Sequence, residues 1–406
     1  MAEARRLSHA TVPGPLAAAA TTWVVASQLA VVYVLSTLPT PLYAVYREAF
    51  GFSALTLTFV YAAYVVGTLS TMLFAGRLSD QVGRRPVTLA SIGIAAAATV
   101  LFLVARDTAW LFAARIVSGC AVALVSGAST AWIVEAHPTG DRRAATQIAI
   151  GANLIGLGVG PLLAGLLAQY APAPLRLAYV VLLPVLAAAF TAVWLGRETV
   201  KAPTPIKDAS LRPRIGVPGE VRSQFLVAAV AAFATFSVMG FYSALLPGVL
   251  EHALHDTSRA TAGAIAGGMF LIAAVTVAIV DLEPARGLIA GLVILIAGVG
   301  AMVLAEHARS MALLLAATGA VGVASGLGYR FGVQLVNELS PGDRRSEVVS
   351  AYLIVCYVAI SLPVIGVGIV SAATSPLIAD TIFGALVALV AAAALVIELV
   401  LRRRRR

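Results

Sequence analysis

The chain has 406 residues, 60% of them hydrophobic and only 12% charged, with a formal net charge of +9. A soluble domain has about 25% charged residues, so this chain cannot cover itself with a water-compatible surface, and most of its area must face lipid. Its two cysteines, Cys120 and Cys356, fall inside apolar runs, which argues against a disulfide framework and against metal ligation.

Arg5 and Arg6 precede the first apolar run, at 22–43. That run is too long for the core of a signal peptide and lacks a cleavage site, so it reads as a retained membrane span. A helix needs about 20 apolar residues to cross a bilayer core. Runs of that order follow at 54–75, 87–105, 110–135, 144–168, 178–196, 223–247, 260–280, 287–305, 311–338, 347–371 and 377–401, which makes twelve. They are continuous rather than alternating, which favours helices over a barrel. The glycines of the tenth run predict a break or kink there.

Orientation follows from arginine and lysine. With the N-terminus in the cytoplasm, the outer loops hold only Arg47, Arg106, Arg176, Arg259 and Arg309. Arg115 and Arg330 lie within spans, and every other Arg and Lys falls on the inner side. A bias of about four to one places both termini inside. The net positive charge thus reports topology. The closing RRRRR is read as a contact for anionic lipid headgroups rather than for nucleic acid.

Polar residues inside the spans are the candidates for function. In chain order they begin with Gln28 and Tyr33 in the first span. Between spans two and three stands GRLSDQVGRRP, Gly76 to Pro86. There Gly83 permits a tight turn, Arg84 and Arg85 anchor the inner side, and Asp80 is placed to meet the N-terminal dipole of a neighbouring helix. Arg115 enters span four in LFAARIVSG, followed by Gly119. A charge inside the membrane costs about 2.5–3.5 kcal/mol or more and marks a functional candidate, with snorkelling to the outer interface as the alternative. Glu135 closes the same span.

Span five carries Asn153 and then GLGVGP, residues 156 to 161. Gly156 and Gly160 form a GxxxG pair that lets two helix backbones approach in lipid. Pro161 removes the hydrogen bond to the Leu157 carbonyl and bends the helix, and Gly165 continues the smooth face. Tyr242 is a cavity candidate in span seven. EHALHD, residues 251 to 256, offers two histidines but reads as a solvated loop, so no metal is assigned. Span ten carries Arg330, Gln334, Asn337 and Glu338 at helical spacing, with Arg330 facing the inner cavity or pairing with Glu338. No carboxylate lies at mid-depth in any run. Glu135, Glu338, Glu398 and Asp281 fall near inner ends, and Glu48 and Asp380 near outer ends.

The chain also repeats. GDRR at Gly140–Arg143 recurs at Gly342–Arg345, and Pro161 and Pro363 follow their aspartates at the same distance. Spans five and eleven are then equivalent. The expected domains are an N-terminal six-helix bundle at 1–196, a proline-rich basic cytoplasmic linker at 197–222, and a C-terminal six-helix bundle at 223–406. The fold class is an all-α membrane protein of twelve transmembrane helices in two six-helix bundles related by a pseudo-two-fold axis.

This organisation resembles the major facilitator superfamily. GRLSDQVGRRP is similar to the family's loop Gly-x-Leu-x-Asp-x-x-Gly-Arg-Arg, with Gln81 where arginine often stands. The resemblance implies that Asp80, with Gly76, Gly83, Arg84, Arg85 and Glu135, latches the first half to span eleven while the outside is open. Arg115 with Gly119 resembles a fourth-span motif tied to proton coupling. Gly156, Gly160, Pro161 and Gly165 resemble the fifth-span motif of the family's antiporters, with Ala164 in place of one glycine. The implied protein is a monomeric secondary transporter of a bacterial-type cytoplasmic membrane, exporting small molecules by proton antiport and needing no cofactor. Uptake of a sugar or metabolite by symport or facilitation stays open, as does a non-transporting receptor. No GxxxxGK[ST] loop is present to use ATP, and no HExxH or paired intramembrane acids suggest an enzyme.

Overall fold

A computed structural model describes residues 16–211, 216–340 and 344–405. Arg5 and Arg6, Gly342 and Asp343 of the second GDRR, and Arg406 lie outside the described residues. The side chains of Arg403, Arg404 and Arg405 are likewise outside, so the expected contact of the closing arginines with lipid headgroups falls outside the described residues.

Among the described residues, twelve helices are long and apolar enough to cross a membrane. They are α1 (Ala18–Thr37), α2 (Ala54–Ala75), α3 (Arg84–Leu103), α4 (Thr108–Ala136), α5 (Arg142–Tyr170) and α6 (Leu177–Trp194). The second set is α7 (Arg222–Ala244), α8 (Arg259–Ile279), α9 (Pro284–His307), α10 (Met311–Leu339), α11 (Arg345–Ala373) and α12 (Pro376–Arg405).

The packing repeats as the sequence does. In the first six helices α1 packs on α4, α5 and α6, α2 on α4, and α3 on α4 and α6. Each pair recurs six helices later: α7 packs on α10, α11 and α12, α8 on α10, and α9 on α10 and α12. The two bundles meet mainly along two symmetry-related seams, α5 against α8 and α2 against α11.

Three elements differ from the expectation. The run at 22–43 does not stay one helix: α1 stops at Thr37, and Pro39 and Pro41 lead through a 3-10 turn into a short helix, Tyr43–Phe50. Proline lacks the N–H that would continue the ladder. The seventh run breaks at the same place in the repeat, where α7 gives way to Leu246–Leu254 with Pro247 in its first turn. These two short helices lie side by side on the outer face. EHALHD is therefore largely helix and not a loop.

The tenth run shows the opposite. α10 is continuous over 29 residues despite its glycines. Gly322 and Gly326 lie against α8, where an added methyl group would sit 2.8 Å from the Met269 carbonyl oxygen and 2.6 Å from that of Ala273. Glycine here serves helix contact, and the contact offsets its weak helix propensity.

Candidate functional site

A cavity of about 880 Å³ opens on the cytoplasmic face. Its walls come from the middle of α1 (Tyr33) and the inner halves of α4, α5, α10 and α11, which contribute Thr130, Asn153, Tyr329 and Tyr352 among others. Above it lies a far smaller space of about 40 Å³ between Tyr33, Ser36, Tyr61, Tyr64, Ser243 and Tyr357. Further out the bundles touch. The Thr40 hydroxyl donates to the Ser243 carbonyl at 2.6 Å, the Tyr64 and Tyr357 rings meet edge-on with centroids 6.3 Å apart, and Arg47 donates to Glu251 at 3.3 Å. The structure is open inward and closed outward.

Of the cavity candidates, Tyr33, Asn153, Gln334 and Asn337 line this space. Gln28 and Tyr242 do not. Gln28 is buried and its Oε1 accepts from Ser129 at 3.0 Å, while Tyr242 is buried and shares a hydrogen bond with Thr318 at 3.1 Å. Both join helices inside their own bundle, as polar groups in lipid do.

Arg115 does not snorkel. It is 1% exposed, donates to the Ser36 carbonyl at 2.7 Å and to the Tyr43 hydroxyl, and faces the rings of Tyr43, Tyr61 and Tyr64 at 5.4, 5.4 and 5.9 Å. Gly119 makes this cage possible. A methyl group there would collide with the Tyr64 carbonyl at 2.0 Å, so only glycine lets α2 bring two tyrosines against α4. The caged charge sits behind the outer roof of the cavity.

Arg330 lines the cavity but does not pair with Glu338, which instead accepts from Gln334 at 3.0 Å. The Arg330 guanidinium donates to the Val277 carbonyl at 2.7 Å and to that of Val280, so it caps the C-terminus of α8, where a cation is favoured. It also lies 3.4 Å from Asp281. Asp281 in turn pairs with Arg143 of α5, which ties the two bundles on the inner side. With its oxygen turned inward, the Gln147 amide of α5 accepts from Arg330 Nε at 3.1 Å.

The signature loop is a knot of charges. Arg84 grips Glu135 with two hydrogen bonds, of 2.7 and 3.2 Å, donates to Ser79 at 2.8 Å and pairs with Asp80. Asp80 makes that pair within its own loop, and Gly76 ends α2 just before it. Sequence reasoning missed Glu198. Its carboxylate accepts from the backbone N–H groups of Arg84 and Arg85 at 3.0 and 2.9 Å, satisfying the open N-terminus of α3. Gly83 has φ +122°, and a methyl group on it would sit 2.7 Å from a Glu198 oxygen. Gln81 is not a defect in the motif. Its backbone carbonyl accepts from Thr204 at 2.7 Å, and its amide exchanges bonds with Ser210 at 2.8 and 3.1 Å, which straps the linker to the loop.

GLGVGP has two working faces. Methyl groups on Gly156 and Gly160 would meet α1, 2.2 Å from the Ala30 carbonyl and 2.5 Å from that of Val34. On Gly158 and Gly165 they would meet α8, 2.9 Å from the Gly267 carbonyl and 2.5 Å from that of Arg259. The Leu157 carbonyl, freed by Pro161, accepts from the Thr37 hydroxyl of α1 at 2.9 Å. The contact of α5 with α8 thus runs along the seam between the bundles, between a closed outer side and a cavity that opens inward.

The Major Facilitator Superfamily profile matches residues 25–363. The chain belongs to that superfamily. Members of that superfamily are transporters rather than enzymes, and the described helices make this chain a multi-pass membrane protein. The transporter EfpA of Mycobacterium tuberculosis, itself described as uncharacterized, is 32% identical over 28% of this chain and 21% of its own length. The cephamycin export protein CmcT of Amycolatopsis lactamdurans is 28% identical over 30% of this chain and 26% of its own. These matches span only about a quarter of the curated relatives. The crystal structure of the human organic anion transporter MFSD10 superposes with a TM-score of 0.70 at 17% identity, covering 93% of this chain and 99% of that one. That likeness shows the fold.

Proposed function

We propose that the protein exports small organic molecules from the cytoplasm in exchange for protons, as a member of the family's drug/proton antiporter branch in a bacterial-type cytoplasmic membrane. The bundles at 1–196 and 223–406 rock as units about the linker at 197–222. Arg115 and Arg330 act in coupling or substrate contact, Asp80 in the opposite-state latch, and the protein works as a monomer, its arginine-rich tail on anionic lipids. The observation that carries the reading is the GLGVGP seam, where α5 meets α1 and α8 backbone to backbone. An antiporter wastes its gradient through any continuous water path, and a seam packed this closely, with the Leu162 and Leu271 side chains filling what the glycines leave, has little room for one. The export activity named for the cephamycin relative supports the direction.

Inverted vesicles with an imposed acid interior test this. A panel of lipophilic drugs, sugars and organic anions is offered outside. Accumulation of at least one member that collapses with a protonophore is the expected result. Transport that only equilibrates substrate, with no response to the proton gradient, would mark a facilitator. Absence of both accumulation and counterflow would mark a receptor.

A further inference from the structure

On the outer face, away from the cavity, three side chains from three elements converge. His252 comes from the short helix Leu246–Leu254, Glu306 from the last turns of α9, and Asp380 from the start of α12. A donor atom of each lies within 4.8 Å of the others. His252 Nε2 is 3.4 Å from Asp380 Oδ2. Glu306 is 2% and Asp380 3% exposed. Both carboxylate oxygens of Glu306 are buried without a hydrogen bond from the protein. Two buried carboxyl groups this close, one with neither oxygen satisfied, are costly unless a shared proton or a bound cation joins them.

We propose that His252, Glu306 and Asp380 form a divalent-cation site of the zinc class, loaded from outside, that holds the outward-closed state. The donor set selects the metal. One imidazole and two carboxylates suit zinc, whereas calcium and magnesium take oxygen ligands alone. Zinc binds such ligands at about 2.0–2.2 Å, which places tetrahedral ligand atoms about 3.4 Å apart. The His252–Asp380 edge already has that length, and a small rotation of Glu306 completes a three-ligand face with a fourth position for water. The His252 side chain, 30% exposed, provides the entry path.

The site also acts on the outer closure. Glu251, beside His252, holds Arg47 of the other bundle at 3.3 Å. Cation binding fixes the Leu246–Leu254 helix against α9 and α12, and with it the residue that bridges the bundles.

The full-length protein, purified and stripped with a chelator, is titrated with zinc and separately with cobalt. One zinc per chain is expected, with a rise in Tm and, for cobalt, visible bands of a low-coordinate site. Glu306→Gln and Asp380→Asn should each weaken binding at least about tenfold, while His255→Ala, three residues on in the same EHALHD stretch but outside the cluster, should bind as wild type. Should Glu306→Gln fail to fold, His252→Ala at the half-exposed ligand serves the same comparison. In proteoliposomes, zinc on the outer side should slow turnover of the wild type and not of His252→Ala. No zinc-dependent shift in Tm, or a shift of equal size in wild type and ligand variants, overturns the site and leaves the acids as a proton-sharing pair. Zinc binding with unchanged turnover overturns its role in closure.

Discussion

The Arg115 guanidinium has no carboxylate among its described partners, and its counter-charge is spread over a carbonyl, a hydroxyl and three tyrosine faces. Each ring contributes up to about 2 kcal/mol in a desolvated site, but only a planar ion can face several rings while donating in-plane. Arg115→Lys keeps the charge and loses that geometry. Substrate flux at equal membrane abundance should fall at least about tenfold, while passive exchange survives better. Full gradient-driven flux with lysine would remove any specific role for the guanidinium. Arg115 was legible as a charge in an apolar run. Its cage was not, because Tyr43 lies beyond a proline break and the other rings come from α2. Glu306 was invisible for a simpler reason: it follows the last apolar residue of its run, and hydropathy carries no sign that the turn is buried. Glu198 looked like one more linker charge, since what it satisfies is backbone.

Among the helices, small residues and Pro161 announced close packing in α5, but the sequence could not say which helix each glycine meets. Periodicity gives a face and not its partner. The structure puts Gly160 against α1 of its own bundle and Gly158 and Gly165 against α8 of the other. Gly160→Leu should therefore lower stability, by about 1–3 kcal/mol for overpacking. Gly158→Leu should shift the balance between states, because the outward-closed structure packs α8 against it. With Val333→Cys in the cavity wall as reporter, in a C120S/C356S background, cytoplasmic alkylation should slow several-fold for Gly158→Leu. Unchanged alkylation and turnover would reduce the seam to packing. The Thr37–Leu157 bond adds a second test at this scale. Thr37→Val strands a buried carbonyl and should cost about 1–3 kcal/mol in thermal unfolding. In a Pro161→Ala background the restored helix N–H satisfies that carbonyl, so the same change should cost little. Additive penalties in the double-mutant cycle would rule out the shared carbonyl.

For the molecule as a whole, the twelve spans, the repeat and the inner side of the loops could be read from composition and charge, because lipid imposes them on every residue alike. The state could not, since both states bury the same apolar runs. In the inward-open structure Asp80 pairs, among the described residues, with Arg84 of its own loop, and its side chain is 45% exposed. Without Asp80, Arg84 keeps its bonds to Glu135 and Ser79, so Asp80→Asn should leave this state nearly intact, with insertion and cytoplasmic alkylation of Val333→Cys at wild-type levels or above. The proposed latch operates in the opposite state, where Asp80 meets the N-terminal dipole of α11. There an aspartate contributes up to about 2 kcal/mol, and its loss would shift the two-state balance inward by up to about 30-fold. Flux should then fall about tenfold or more while the outward-open population, read by alkylation from outside at Ser36→Cys, nearly disappears. Direction separates this variant from Gly158→Leu, which pushes the same balance the other way, so combining the two should recover part of the lost flux. Asp80→Asn with undiminished flux, or a double variant worse than either single one, would sink the latch.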